Sequence, residues 1–133
     1  GARASSQHNA DSAPAKACDE PHLTRWVSGA DDKAPWIQLS LARRTRANTI
    51  LLAQANSALS LRGHFGAIKR VAISINGDDP IEVDMGPDEM RMVQVDLGKT
   101  ARISTIKVSV LEYTPGSNVH GVGFSGIELY RLK

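Results

Sequence analysis

Four histidines, one cysteine and 14 carboxylates are the side chains in this 133-residue chain that could move protons, attack a carbon or hold a metal. Their spacing assembles no catalytic set. His8, His22, His64 and His120 stand far apart, with no pair at the separation of a zinc site, and a scattered loop histidine is ordinarily a polar surface group. Cys18 has no histidine partner in the pattern, and no serine sits in the glycine-flanked elbow that exposes a nucleophile. The residues suggest recognition instead. Arg62-Gly63-His64-Phe65 offers, in one stretch, a flat apolar ring for the C–H face of a sugar and planar hydrogen-bonding groups for its hydroxyls. The competing reading is that Phe65 tucks beneath its loop while Arg62 and His64 are only solvated.

Two further clusters invite chemistry. Leu59, Leu61 and Phe65, flanked by Arg62 and Lys69, could press an apolar loop tip into an anionic membrane surface, or could simply fold back onto the domain edge. Arg43-Arg44-Thr45-Arg46 is a compact basic run that could meet nucleic acid, but no aromatic residue is interleaved for base stacking, and a solvated turn between two strands is the plainer reading.

The elements that must position these residues read as strands. Ala2 to Gln7 is a short first strand, and residues 8 to 24 form an irregular loop punctuated by Asn9, Asp11, Pro14, Asp19 and Pro21. Trp36 to Leu41 alternates Trp36, Gln38 and Ser40 against Ile37, Leu39 and Leu41, the period of a strand with one buried face. Thr49 to Ala53 is a second apolar run, and Asn56 to Gly66 a long loop. Val71, Ile73 and Ile75 share a face of a strand that reaches Asn76-Gly77, a dipeptide suited to the positive φ angles of a tight hairpin, and Ile81 to Met85 returns from it. Val93, Val95 and Leu97 mark another strand, Ile106, Val108 and Val110 another, and Val122 to Leu132 the last, after a polar loop at Tyr113 to Gly121. No helix of useful length is predicted. The expectation is an all-β sandwich or jelly roll of about eight antiparallel strands.

Composition bounds the rest. At 41% hydrophobic, 133 residues can bury one core but not two, so residues 1–133 read as a single domain. Sixteen basic against 14 acidic residues, a net charge of +2, lack the basic excess of an electrostatically driven nucleic-acid binder. A single cysteine excludes an internal disulfide without fixing a compartment. No apolar run approaches the ~18 residues of a membrane-spanning helix. A start at Gly1-Ala2-Arg3 rather than Met reads as a trimmed or mature chain, with Gly1 a cloning remnant.

Several short motifs occur in a familiar order: Ala4-Ser5-Ser6; Ala17-Cys18-Asp19-Glu20-Pro21-His22-Leu23-Thr24-Arg25-Trp26; Pro35-Trp36-Ile37-Gln38-Leu39-Ser40-Leu41; Val71-Ala72-Ile73-Ser74-Ile75-Asn76-Gly77; and Ser125-Gly126-Ile127-Glu128-Leu129-Tyr130. Together they resemble the discoidin, or coagulation factor 5/8 type C, family and its relatives among the family 32 carbohydrate-binding modules, over nearly the whole chain. The resemblance implies a galactose-binding-like jelly roll whose end loops bind a ligand. It implies a non-catalytic module for a glycan or polysaccharide, an accessory to a secreted or surface bacterial enzyme or adhesin, placed outside the cell, in the periplasm or at the cell surface. A phospholipid-binding module, or a structural domain packed on a catalytic neighbour, are the alternatives.

The resemblance also implies sites. A structural Ca²⁺ would draw on Asp19, Thr24 and Glu128, although Glu20 and Pro21 replace the family's usual Gly and Asn or Asp. The family's galactose-binding triad is not matched: its positions fall on Val27, on no clear arginine, and on Phe65. The residues left near the ligand loops are Asn56, Arg62, His64, Phe65, Tyr113, Asn118 and His120, with His22 at the rim. Trp26, Trp36, Phe124 and Tyr130 are expected in the core, leaving Phe65 and Tyr113 as exposed rings.

Overall fold

The computed structural model describes residues 1–18, 24–57, 61 and 63–133. Seven strands are present among them: β1 (Ala2–Ala4), β2 (Trp26–Val27), β3 (Trp36–Gln54), β4 (Ala67–Ile75), β5 (Ile81–Asp84), β6 (Val93–Thr114) and β7 (Gly123–Tyr130). The segment between β1 and β2 contains two 3₁₀ turns, Ala10–Ser12 and Pro14–Ala17. All pairings are antiparallel.

The sandwich is built by two long strands that each serve both layers. The first half of β3 pairs with β1 and with the second half of β6 (Trp36↔Ser109 through Ser40↔Thr105). The second half of β3 pairs with the first half of β6 (Thr49↔Asp96 through Leu52↔Val93) and, on its other edge, with β7. Register shifts between Ser40 and Thr45, and between Ala47 and Thr49, mark the corner where β3 changes layer. One layer is thus β1-β3-β6-β4-β5, the other β6-β3-β7-β2.

The structure therefore joins what the apolar pattern separates. The runs Trp36–Leu41 and Thr49–Ala53 are one strand, as are those at Val93 and Ile106, and Arg43-Arg44-Thr45-Arg46 lies within β3 rather than in a turn. That stretch is exposed, so its residues carry no burial signal, while the backbone pairing continues through it (Arg46↔Arg102). The hairpin at Asn76-Gly77 is as read: φ is +54° at Asn76 and +77° at Gly77. The Asn76 side chain also donates to the Arg102 carbonyl at 2.7 Å and accepts from the Ser104 N–H at 2.8 Å, tying the turn to β6.

The core lies between the layers, with Ile37, Ile50, Leu52, Val71, Ile73, Ile103, Ile106 and Val108 sealed from solvent. Trp26 stacks on Phe124 with ring centroids 6.3 Å apart, and its indole N–H donates to the Ser6 carbonyl at 2.9 Å. Two expected core rings are elsewhere. Trp36 is half-buried, with the Arg3 guanidinium 5.5 Å and the Lys107 ammonium 4.7 Å from its ring centroid. Tyr130 is 43% exposed, because it follows the last core-facing position of β7.

The Ser5-Ser6 pair acquires a structural meaning. Both hydroxyls donate to the Asp32 carboxylate, Ser6 at 2.6 Å. Ser5 also accepts the Trp36 N–H at 3.0 Å and Ser6 the Gly29 N–H at 2.9 Å. These bonds fix the entry to β3 against the end of β1, and with it the loops at that end of the sandwich.

Candidate functional site

At the end where β3 finishes, four loops meet. Two buried carboxamides hold the one between β3 and β4. Gln54 accepts the Ile68 N–H at 2.8 Å and donates to the Ile68 carbonyl at 3.3 Å. Two residues on, Asn56 does the same to Phe65, accepting its N–H at 2.9 Å and donating to its carbonyl at 2.8 Å. Buried backbone groups need such partners, and here side chains supply what a strand neighbour would.

The loop after β6 locks onto the same segment. Val119 and Asn118 donate their N–H groups to the His64 carbonyl at 2.9 and 3.1 Å, and the Ser117 N–H and hydroxyl reach the Gly63 carbonyl at 2.8 and 2.7 Å. Gly116 permits this approach: a Cβ there would lie 2.3 Å from Phe65 backbone and 2.5 Å from the His64 carbonyl oxygen.

These loops and the first 3₁₀ turn enclose a cleft of about 340 Å³. His8, Asn9 and Asp11 line it from one side, Thr24 and Arg25 from the approach to β2, and His64 and Phe65 from the loop ahead of β4. The guanidinium carbon of Arg25 sits 5.8 Å from the Phe65 ring centroid, and the His64 imidazole meets that ring edge-on at 4.6 Å. Burial pulls the Arg25 guanidinium below its usual pKa, yet an arginine remains charged in a protein. The arrangement gathers imidazole, carboxamide, carboxylate, hydroxyl and guanidinium groups around one small concavity. It can hydrogen-bond a polyhydroxylated ligand from several directions.

The sequence-derived residues divide. His64 and Phe65 reach the cleft, and Asn118 braces its edge through its backbone. Phe65 is only 8% exposed, so it is a floor beneath Arg25 and His64 and not the expected open platform. Asn56 is fully buried and spends its amide on Phe65, so it shapes the loop and presents nothing to a ligand. His120 is exposed on the loop after β6. Arg62 and His22 lie outside the described residues, as does Leu59.

Tyr113 faces a separate groove of about 660 Å³ on the side of the sandwich, with Lys69, Arg70, Asp84 and Glu112. Its hydroxyl donates to the Asp32 carbonyl at 3.2 Å. Within the groove Arg70 pairs with Glu112 at 3.8 Å and, outside it, with Glu82. Of the candidate cation ligands, Asp19 lies outside the described residues. Thr24 and Glu128 are half-buried oxygen donors, and Glu128 accepts the Tyr130 hydroxyl at 2.9 Å. Among the described residues no three His, Cys, Asp or Glu side chains gather as a metal cage.

Sequence reading missed His8, Asn9, Asp11 and Arg25. They stand among turn-forming residues with no periodicity, and only the folded chain brings them to His64. The one available signal was Arg25's place beside Trp26 in the second motif.

No protein-family model matches the chain, and no curated protein does. Solved structures do match. The chain is similar to chitosan-binding module 2, solved in complex with chitotriose, from a chitosanase/glucanase of Paenibacillus sp. IK-5: TM-score 0.76 at 15% identity, over 98% of this chain and 95% of that one. It is similar to the family 32 carbohydrate-binding module of Clostridium perfringens NanJ, solved with galactose: TM-score 0.73 at 17% identity, over 97% and 91%. It also matches a segment of the arabinofuranosyltransferase AftD from Mycobacteria, with a TM-score of 0.75 at 18% identity, over 100% of this chain but 10% of that one. The likeness is one of fold: this all-β sandwich has the galactose-binding-like architecture of carbohydrate-binding modules.

Proposed function

We infer that this domain is a non-catalytic carbohydrate-binding module that takes a glycan or polysaccharide in the loop-end cleft. The observation that carries the reading is the convergence of His8, Asn9, Arg25 and His64, planar hydrogen-bonding groups from two separate connections of the chain, on one concavity of about 340 Å³. The fold shared with modules solved with chitotriose and with galactose supports it. Sugar hydroxyls are recognised by such groups, and a module of this kind acts by holding an attached enzyme or surface protein near its substrate, raising local concentration without altering chemistry. Because Phe65 is covered, binding rests on hydrogen bonds more than on ring stacking, and a single site is weak. Polysaccharide recognition of this type belongs outside the cell, in the periplasm or at the cell surface, beside an adjoining catalytic domain. A structural Ca²⁺ held by Asp19, Thr24 and Glu128 belongs to the same proposal; the oxygen donors of Thr24 and Glu128 suit it, and it would brace the loop leading to β2.

A second reading places the sugar in the side groove, favoured by its larger volume and by the half-exposed Tyr113 ring within it. A glycan array on the purified chain, repeated with Arg25→Ala, His64→Ala and Tyr113→Ala, separates the two. Loss of signal in the first two variants, with Tyr113→Ala retained, supports the cleft. The reverse pattern moves the site to the groove, and no glycan bound at all refutes both.

A further inference from the structure

The two ends of the sandwich differ in charge. β3 leaves the loop end at Trp36, turns at its bulges and returns to it at Gln54; β6 makes the same excursion from Val93 to Thr114. The corners at the opposite end carry Arg43, Arg44 and Arg46 from β3 and Lys99 and Arg102 from β6, against three exposed acids, Asp96 and the Asp78 and Asp79 of the hairpin that Asn76 ties to β6. The Asn48 side chain grips Leu132, donating to its carbonyl at 2.6 Å and accepting its N–H at 2.9 Å, which adds Arg131 and Lys133. All seven are exposed. Arg70 pairs with Glu82 and Glu112 on the side of the sandwich, and no ion pair joins any of these seven to another described residue. Arg46 stands directly opposite Arg102 in the ladder. Like charges so placed repel and cost the sheet stability.

The same end has apolar groups. Tyr130 and Leu132, 43% and 47% exposed, flank Arg131. An apolar recess of about 350 Å³, lined by Leu39, Leu41, Ala42, Ile106, Ile127 and Leu129, adjoins Arg43 along β3 and Tyr130 along β7. A polyanionic polymer would use the cations and leave these groups unused. A lipid surface uses both: basic side chains meet anionic head groups while a tyrosine ring and aliphatic side chains settle at the interface.

We propose that the basic end opposite the ligand loops, centred on the Arg46–Arg102 pair, docks on an anionic phospholipid surface. The ligand loops then face away from the membrane. The surface is distinct from the segment that carries Leu61, His64 and Phe65, which lies at the other end of the fold.

The test is co-sedimentation of the purified chain with phosphatidylcholine vesicles and with vesicles in which about a third of the lipid is phosphatidylglycerol. Binding is expected to the second kind only and to weaken as salt is raised. At roughly one tenfold step per 1.4 kcal/mol and about 1 kcal/mol per surface cation, Arg46→Gln with Arg102→Gln lowers partitioning about thirtyfold. Arg46→Glu separates docking from folding, because it places an acid opposite Arg102: its melting temperature rises while vesicle binding falls. Equal binding to both vesicle types, binding to neither, or full binding by the double variant overturns the proposal. So does capture by inorganic polyphosphate without any capture by vesicles.

Discussion

Asn56 grips Phe65 by both of its backbone polar groups across nine residues of chain, with no exposure to solvent. The contact converts a loop with no strand partner into a fixed wall of the cleft. It also puts the position of His64 in the cleft under the control of a residue sealed from solvent.

Truncating that side chain should therefore harm stability and recognition together. Asn56→Ala leaves a buried N–H and a buried carbonyl without partners, a loss of about 2–4 kcal/mol when each costs about 1–3. Asn56→Asp keeps the acceptor and sets a carboxylate against the Phe65 carbonyl, so it does not rescue. Urea denaturation measures the first effect; unchanged midpoints in both variants would remove Asn56 from this role.

Gly116→Ala is expected to damage the same wall from the other side. Its Cβ would meet the backbone of Phe65 and Val119 at 2.3 Å, and backbone cannot move aside as a flexible side chain can. Overpacking of this kind costs about 1–3 kcal/mol, and the displaced 63–65 segment should weaken glycan binding. A melting curve and a binding isotherm on this variant, compared with Gly77→Ala, where a Cβ meets nothing but φ is +77°, distinguish a clash from simple backbone strain.

Asp32 predicts a pH dependence. Partial burial alone would raise its pKa, but the hydroxyls of Ser5 and Ser6 and the Ala34 N–H outweigh this and hold it below its ordinary 3.8. A carboxylate depressed in the folded state contributes stability above its unfolded value and loses it as pH falls through the folded one. Wild type should thus lose stability below about pH 4 more steeply than Asp32→Asn, in which the contribution is already gone. Parallel pH profiles would show that the Ser5-Ser6-Asp32 knot is electrostatically idle.

The proposed calcium has its own readout. If Asp19, Thr24 and Glu128 hold the ion, excess Ca²⁺ raises the melting temperature and EDTA lowers it, since a ligand that binds only the folded state stabilises it by mass action. Glu128→Gln should abolish the difference. Identical melts in both conditions would remove Glu128 from the proposed ligand set.

How far the sequence speaks depends on which residues are sealed. Alternation correctly announces the faces of β4 and β6, because Val71, Ile73, Ile106, Val108 and Val110 are all buried. It falls silent between Ala42 and Arg46, where every residue is exposed, so the continuity of β3 is invisible to it. Trp36 shows the opposite failure. Its alternation partners Gln38 and Ser40 already mark its face as the outer one, while the motif suggests a core ring; the structure gives it to Arg3 and Lys107. For the cleft, His64 and Phe65 are legible from local composition, whereas Arg25 and His8 arrive through tertiary convergence that no short window records.

Trp36 and Ser109 are ladder partners 73 positions apart, and the pairing of β3 with β6 that lies nearest in sequence, Leu52 with Val93, still spans 41 positions. Closing so large a loop costs entropy before any contact rewards it, which makes assembly slow for a chain of this size. During synthesis, β3 must wait for β6 to emerge from the ribosome. Until then Ile50, Leu52 and the rest of its apolar edge are open to any other unpaired strand, and the nascent chain depends on speed or a chaperone to avoid clumping.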